Sequence, residues 1–276
     1  MRAGSFGARY GGAALVTGAS AGIGEAFARR LAADGTDLVL VARRGDRLAA
    51  LAAELAETHA VRARAIPLDL VAAGAVPRLI ATLAECRIDV GLLVHNAGFA
   101  VNQPFHVADP AHLVAQVDLH CRVPVELTRA LLPAMAARGR GGVIVVASVA
   151  GYLALSSDSL YGATKAFDLH LAEGLCAELA PLGIHALAVS PGYTRTEFHQ
   201  AAGISTEGLP AWAWMPADRV AETALAGLGK TASVVVGRRY QLLTAMIRLV
   251  PRGLLNRLAQ ALFFRKLARG RAESGG

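Results

Sequence analysis

The chain predicts an α/β fold built on a doubly wound parallel sheet. Three observations carry that expectation. Short apolar runs recur along the 276 residues, and helix-like stretches separate them. Most of these runs are apolar at every position, the pattern of strands covered on both faces. A glycine-rich turn, "TGASAGIG" at 17–24, joins the first run to the first helix. Sheets of this kind bind ligands there, outside the carboxyl ends of their strands.

The elements follow in order. "AALVTG" (13–18) reads as the first strand, and "IGEAFARRLAADG" (23–35) as a helix stopped by Gly35. "DLVLVAR" (37–43) is the second strand; Asp46 is an N-cap candidate for the helix at 45–59. "VRARAIPLDL" (61–70) is the third strand, a helix near 74–85 follows, and "VGLLVHNAG" (90–98) is the fourth strand. A long helix covers about 109–138 and contains Pro124, where a kink is expected. "GGVIVVASVAG" (141–151) is the fifth strand, 158–180 a helix, and "IHALAVSPG" (184–192) the sixth strand. A helix near 216–228 and "SVVVG" (233–237) complete the series. Right-handed crossovers wind the helices onto both faces. No linker or internal repeat divides the chain, so residues 1–237 read as one domain and 238–276 as a basic extension.

Composition supports a folded enzyme-sized body. Hydrophobic residues make up 54% and charged residues 18%, too little charge for disorder. The net charge is +7, but it is unevenly placed. From Arg238 onward there are nine basic residues and one acid, a net of +8, which leaves −1 for the rest. That segment lacks interleaved aromatic residues and any nucleic-acid motif, so no nucleic-acid partner is expected. Cys86, Cys121 and Cys176 are isolated. They suggest neither a disulfide framework nor a metal site, and they fit a reducing, cytoplasmic setting. No signal peptide is expected, and no run of about 18 apolar residues predicts a membrane-spanning helix.

Chemistry-bearing residues cluster at the strand ends. The glycines of 17–24 let the backbone approach a phosphate, and the next helix offers free N–H groups to it. A Walker loop would need a lysine that is absent here. After the second strand, where a carboxylate would bind the ribose hydroxyls of NAD, stand Arg43 and Arg44. A guanidinium holds a 2′-phosphate through paired hydrogen bonds, so the expected cofactor is NADP(H) rather than NAD. "YGATK" puts Tyr161 and Lys165 on one helix face. An ammonium near a phenol favours the phenolate and fits it for proton exchange near neutral pH. Ser148, at the end of the fifth strand, could hydrogen-bond the same substrate oxygen.

Together these features resemble the short-chain dehydrogenase/reductase family over about residues 10–237, which implies a Rossmann-like fold. "TGASAGIG" resembles that family's cofactor loop, through Gly18, Ser20, Gly22, Ile23 and Gly24. "HNAG" resembles its NNAG element through Asn96, Ala97 and Gly98, with His95 in place of the first asparagine. "PGYTRT" resembles the segment that contacts the nicotinamide, through Pro191, Gly192, Thr194 and Thr196, and Asp69 with Leu70 resembles the pair bordering the adenine. Ser148, Tyr161 and Lys165 match the catalytic serine, tyrosine and lysine. The resemblance implies Tyr161 as general acid/base, Lys165 lowering its pKa and bonding the nicotinamide ribose, and Ser148 positioning the substrate oxygen. The family's fourth catalytic residue, an asparagine, aligns with Asp118, which could serve through its main-chain carbonyl. A homodimer or homotetramer is also implied.

The lid region, about 197–217, carries Phe198, Leu209, Trp212, Trp214 and Met215. These side chains suit a hydrophobic carbonyl/alcohol substrate or the packing of the lid onto the body. The tail at 248–271 has Leu254, Leu255, Leu258, Leu262 and Phe263 at helical spacing among basic residues. Such a helix could cover the lid or a partner subunit, the favoured reading, or lie on an anionic membrane surface. Two functions fit the chain: an NADP(H)-dependent oxidoreductase, or a non-catalytic NADP-binding protein on the same fold. The complete set of Ser148, Tyr161 and Lys165 favours the first.

Overall fold

Apolar strands place themselves at the centre of the molecule and leave the helices to cover them. The structure, a computed structural model, describes residues 4–153, 159–251, 253–255 and 257. The strands are β1 (Ala13–Thr17), β2 (Leu38–Ala42), β3 (Ala63–Pro67), β4 (Val90–His95), β5 (Gly141–Val146) and β6 (Ile184–Ser190). Two-residue strands β7 (Thr194–Arg195) and β8 (Met215–Pro216) form a separate small sheet, and β9 (Ser233–Val235) ends the main one. The main sheet is wholly parallel with order β3-β2-β1-β4-β5-β6-β9. The order turns back between β1 and β4, which opens a crevice at their carboxyl ends.

The helices are α1 (Phe6–Tyr10), α2 (Gly22–Ala33), α3 (Gly45–His59), α4 (Ala75–Glu85), α5 (Pro110–Val117), α6 (Val123–Ala137), α7 (Ser159–Leu179), α8 (Phe198–Ala201), α9 (Ala217–Gly227) and α10 (Arg238–Leu249). Alternate residues of each strand face opposite layers. Val16 and Leu40 pack with Phe27 and Leu31 of α2, Leu48 of α3 and Val220 of α9. Leu15 and Leu93 pack with Leu79 of α4 and Leu127 of α6, while Val143 and Val145 meet Leu169 and Ala172 of α7. Each fully buried Leu or Phe side chain contributes about 1.5–3 kcal/mol.

Five local expectations change, one of them the cap of α3: Arg44 stands at the N-cap and Asp46 lies in the first turn. The glycine-rich start hides α1: Ser5 caps it through the Ala8 N–H at 3.2 Å, and left-handed Gly11 ends it. β3 stops at Pro67 because its partner β2 ends at Ala42, so Asp69 and Leu70 lie in the following turn. The expected 109–138 helix is three pieces, with a π-helical turn, Asp118–Arg122, between α5 and α6. In that turn the Val123 N–H reaches back five residues to the Asp118 carbonyl, and Pro124 has no N–H to donate to the His120 carbonyl. β5 ends at Val146, so Ser148 stands beyond it as the cap of a 3₁₀ turn, Val149–Tyr152. The start of the 158–180 helix and residues 258–276, with most of the expected tail helix, lie outside the described residues. Among the described residues no helix is long and apolar enough to cross a membrane.

Candidate active site

The crevice is floored by the glycine loop, whose shape is set by contact rather than by flexibility. Gly18 has φ +65°, and a Cβ there would come within 2.8 Å of the Ala97 Cα and the Asn96 amide. Asn96 Nδ2 donates to the carbonyls of Thr17 (2.9 Å) and Gly18 (3.2 Å). The N–H groups of Asn96 and Ala97 both donate to Thr17 Oγ1 at 3.0 Å. The segment 96–98 is thus stapled to the loop. α2 starts at Gly22 with no side-chain cap, so its first N–H groups face the crevice unclaimed by a side chain. His95, in place of the first asparagine, turns to α6. It is buried, and its Nε2 lies 2.8 Å from Thr128 Oγ1. Burial, with a smaller contribution from Lys165, pushes its pKa down to about 3, so it is neutral.

At the rim, Arg44 donates through Nε to Ser20 Oγ (3.2 Å) and through Nη1 to Glu197 (2.6 Å). Arg47 donates to the other Glu197 oxygen at 2.7 Å. Hydrogen bonds from Arg44 and then Arg47 hold the Glu197 carboxyl below the usual carboxylate range. Arg43 is exposed beside them. A cleft of about 380 Å³ opens here, lined by Ser20, Gly22, Arg47, Thr196 and Glu197 among others. Asp69 is exposed, with Oδ1 accepting from the Val71 N–H at 3.2 Å, and Leu70 is core.

The chemical residues stand where β5, the π turn and α7 meet. Ser148 is extended, and its Oγ accepts from the Ala150 N–H at 3.1 Å. The Tyr161 ring is half-buried between His120 (centroids 5.8 Å apart, edge-on) and Phe198 (5.7 Å). Lys165 Nζ lies 5.8 Å from the Tyr161 ring centroid. It donates to the Val146 carbonyl (2.9 Å) and to Asp168 Oδ2 (2.8 Å). Burial works against the Lys165 ammonium, but Asp168 and Tyr161 outweigh it and hold the amine above its ordinary value.

The Asp118 side chain does not join this group, and the residue's main-chain carbonyl accepts from the Val123 N–H. Its carboxylate accepts from Arg122 Nε at 2.8 Å on the open side of the helix. The side chain that the π turn presents to Tyr161 is His120, two residues on. Its Nε2 accepts from the Phe99 N–H (3.1 Å), which puts the proton on Nδ1, and Nδ1 then donates to Thr164 Oγ1 (2.8 Å). Thr164 in turn donates to the Tyr161 carbonyl at 2.9 Å. Burial keeps the His120 imidazole neutral.

The segment after β6 closes the crevice. Thr194 is buried and donates to the Gly192 carbonyl at 3.0 Å. Thr196 packs against Gly22, and its Oγ1 accepts from the Phe198 N–H at 3.3 Å. A Cβ on Gly192 would fall inside the ring of Tyr240, from α10. Tyr240 Oη accepts from the Tyr193 N–H (3.2 Å) and donates to the Ala213 carbonyl in the lid (2.7 Å). His120, Thr164, Asp168 and Tyr240 escape the sequence reading. Asp168 carries a usable signal, an acid three residues after Lys165 on the same helix face.

Known proteins share this plan. The family described as short chain dehydrogenase matches residues 12–205. Sulfoacetaldehyde reductase 2 of Chromohalobacter salexigens is 38% identical over 186 residues, 67% of this chain and 73% of the relative. The NADP-dependent 3-hydroxy acid dehydrogenase of Salmonella typhi is 36% identical over the same shares. A short-chain dehydrogenase of Sphingobium yanoikuyae, solved with NADPH, aligns with a TM-score of 0.75 at 34% identity, covering 87% of this chain and 96% of that one. The stapled glycine loop, the parallel sheet order and these likenesses agree: the chain belongs to the short-chain dehydrogenase family.

Proposed function

We propose that the protein is an NADP(H)-dependent oxidoreductase that interconverts a carbonyl and an alcohol, with Tyr161 exchanging the proton. The observation that carries this reading is the buried, charged Lys165 ammonium set 5.8 Å from the Tyr161 ring. The cofactor fits the residues present. The uncapped start of α2 and the glycines suit a pyrophosphate. Arg44 and Arg47 already hold one anion, the Glu197 carboxylate, so this rim accepts negative charge. Arg43 and Arg44 are the proposed partners of a 2′-phosphate, and the relatives named NADP-dependent and the NADPH-bound neighbour support that choice. Asn96, Thr194 and Thr196 would border the nicotinamide. When bound, NADP(H) supplies or accepts the hydride.

The chain's own part is proton transfer and alignment. Tyr161 Oη gives its proton to the carbonyl oxygen in reduction and takes it back in oxidation. The Lys165 ammonium stabilises the phenolate and lowers its pKa. Ser148 Oγ hydrogen-bonds the same substrate oxygen. His120 and Thr164 hold the tyrosine's turn of α7 in place. Phe198 beside Tyr161 and Phe99 beside His120 line the approach with apolar surface, which supports a hydrophobic substrate. A panel of ketones and aldehydes assayed by NADPH oxidation tests the reading. Tyr161→Phe lowers kcat by about 10²–10⁴-fold; full activity in that variant removes Tyr161 from the chemistry.

A further inference from the structure

Asp168 is a buried carboxylate that the proton-transfer scheme does not use. Its side chain is 3% exposed, and Oδ2 bonds Lys165 Nζ at 2.8 Å. Oδ1 is buried with no hydrogen-bond partner among the described residues. Asp168 sits in the middle of α7, where the backbone N–H groups are spent within the helix. An aliphatic side chain there would avoid burying a charge. The other titratable groups around Lys165 are Tyr161 on the same helix, His120 and Cys121 on the π turn, and His95 on β4. Both imidazoles are neutral, and burial, with Asp168 next, pushes the Cys121 thiol up to about 11. Burial raises the Asp168 carboxyl and the Lys165 ammonium pulls it back down, and its Oδ2, 2.8 Å from Lys165 Nζ, makes it the acid of this set that faces the ammonium.

We propose that Asp168 is a positioning residue: it keeps the buried Lys165 ammonium charged and, together with the Val146 carbonyl, fixes it against Tyr161. The second half of this inference rests on the reading of Tyr161 and Lys165 as the reacting pair; the first half does not. With the carboxylate present, Lys165 and Asp168 form a pair whose positive end faces the phenol. Without it, the buried amine loses its proton at lower pH. Reduction needs the protonated phenol beside a charged lysine, so the alkaline fall of activity moves down with it.

Nitrogen NMR on protein labelled at the lysine side chains, with Lys165→Arg used to assign the signal, reads the first half without turnover. Lys165 in the wild-type chain should remain ammonium to above its ordinary pH, about 10.4. In Asp168→Asn, which keeps the shape and one acceptor oxygen, it should titrate about one pH unit lower or more. In NADPH-dependent reduction the alkaline limb of kcat/KM should move down by about one unit or more, while KM changes less than kcat. Asp168→Glu should restore part of that shift. A wild-type Lys165 that titrates at or below the ordinary value overturns the proposal, even if Asp168→Asn does not fold. An unmoved alkaline limb in folded Asp168→Asn overturns it as well. If the wild-type chain reduces no carbonyl, the functional reading fails, and the lysine titration still decides Asp168.

Discussion

Single residues here are neutral where an exposed copy would be charged. His95 and His120 are both buried, and burial depresses both pKa values, that of His95 to about 3. In the unfolded chain each takes up a proton below about pH 6.5, whereas the folded chain does not. The unfolded state then binds more protons, so stability falls as pH drops through 6.5 and keeps falling toward the folded value. Two such groups remove about 2.7 kcal/mol per pH unit below about pH 6, and His185 and His199, whose pKa values burial also lowers, add to the slope. Urea unfolding between pH 6.5 and 5, above the range where carboxylates titrate, should show this slope. His95→Gln should make the slope shallower by up to about 1.4 kcal/mol per pH unit, and a flat wild-type profile would refute the assignment. These histidines were legible as letters but not as neutral core residues. His120 and Thr164 are 44 positions apart, and only the folded chain shows their bond.

Whole elements show why some boundaries could be read and others not. Strands β1, β2, β4 and β5 are buried at every position, so their apolar runs stand out in sequence. β3, at the sheet edge, mixes exposed and half-buried residues, and only its pairing with β2 sets its end. The π turn follows from Pro124 in kind but not in position, since the break falls on the residues before the proline. α10 stayed hidden because its contacts are long-range: Tyr240 bonds Tyr193 across 47 positions and Ala213 across 27. Those contacts tie the segment after β6 to the lid. Tyr240→Phe removes both hydrogen bonds and keeps the ring. It should cost about 1–3 kcal/mol of stability if the Ala213 and Tyr193 partners stay dry. It should also weaken NADPH binding as measured by titration, more than it lowers the melting temperature of the cofactor-free chain would suggest. Gly192→Ala should be worse, because its Cβ has no room beside that ring.

At the scale of the molecule, exposed hydrophobic residues lie on α5, α6 and α7 as well as on α10. Val114 and Val117 of α5, Val125 of α6 and Phe167 of α7 are exposed large hydrophobic residues on neighbouring helices. Exposed apolar side chains on packed helices are the kind of feature that marks an interaction surface. A second copy of the chain is the expected cover, in line with the dimer or tetramer that the family resemblance implies. Sedimentation should find an oligomer at micromolar concentration, and Val125→Glu with Phe167→Glu should shift it to monomer without unfolding it. A wild-type monomer would refute the expectation. The fold and the motif residues were legible because strand burial and glycine spacing are local patterns. The pairing of Lys165 with Asp168 is legible only as an i, i+3 spacing; its burial, which gives the pair its weight, appears only in the fold.

The lid has a practical consequence. Both tryptophans of the chain lie in it. Trp214 packs on Tyr193 and His199, while Trp212 is 62% exposed under the Arg239 guanidinium. The molecule therefore carries its own optical label in one place. Indole emission reports the lid alone: one ring is seated against an imidazole that can quench it, and the other is open to solvent. Spectral changes on adding a ligand can then be assigned to these few residues without any engineered dye.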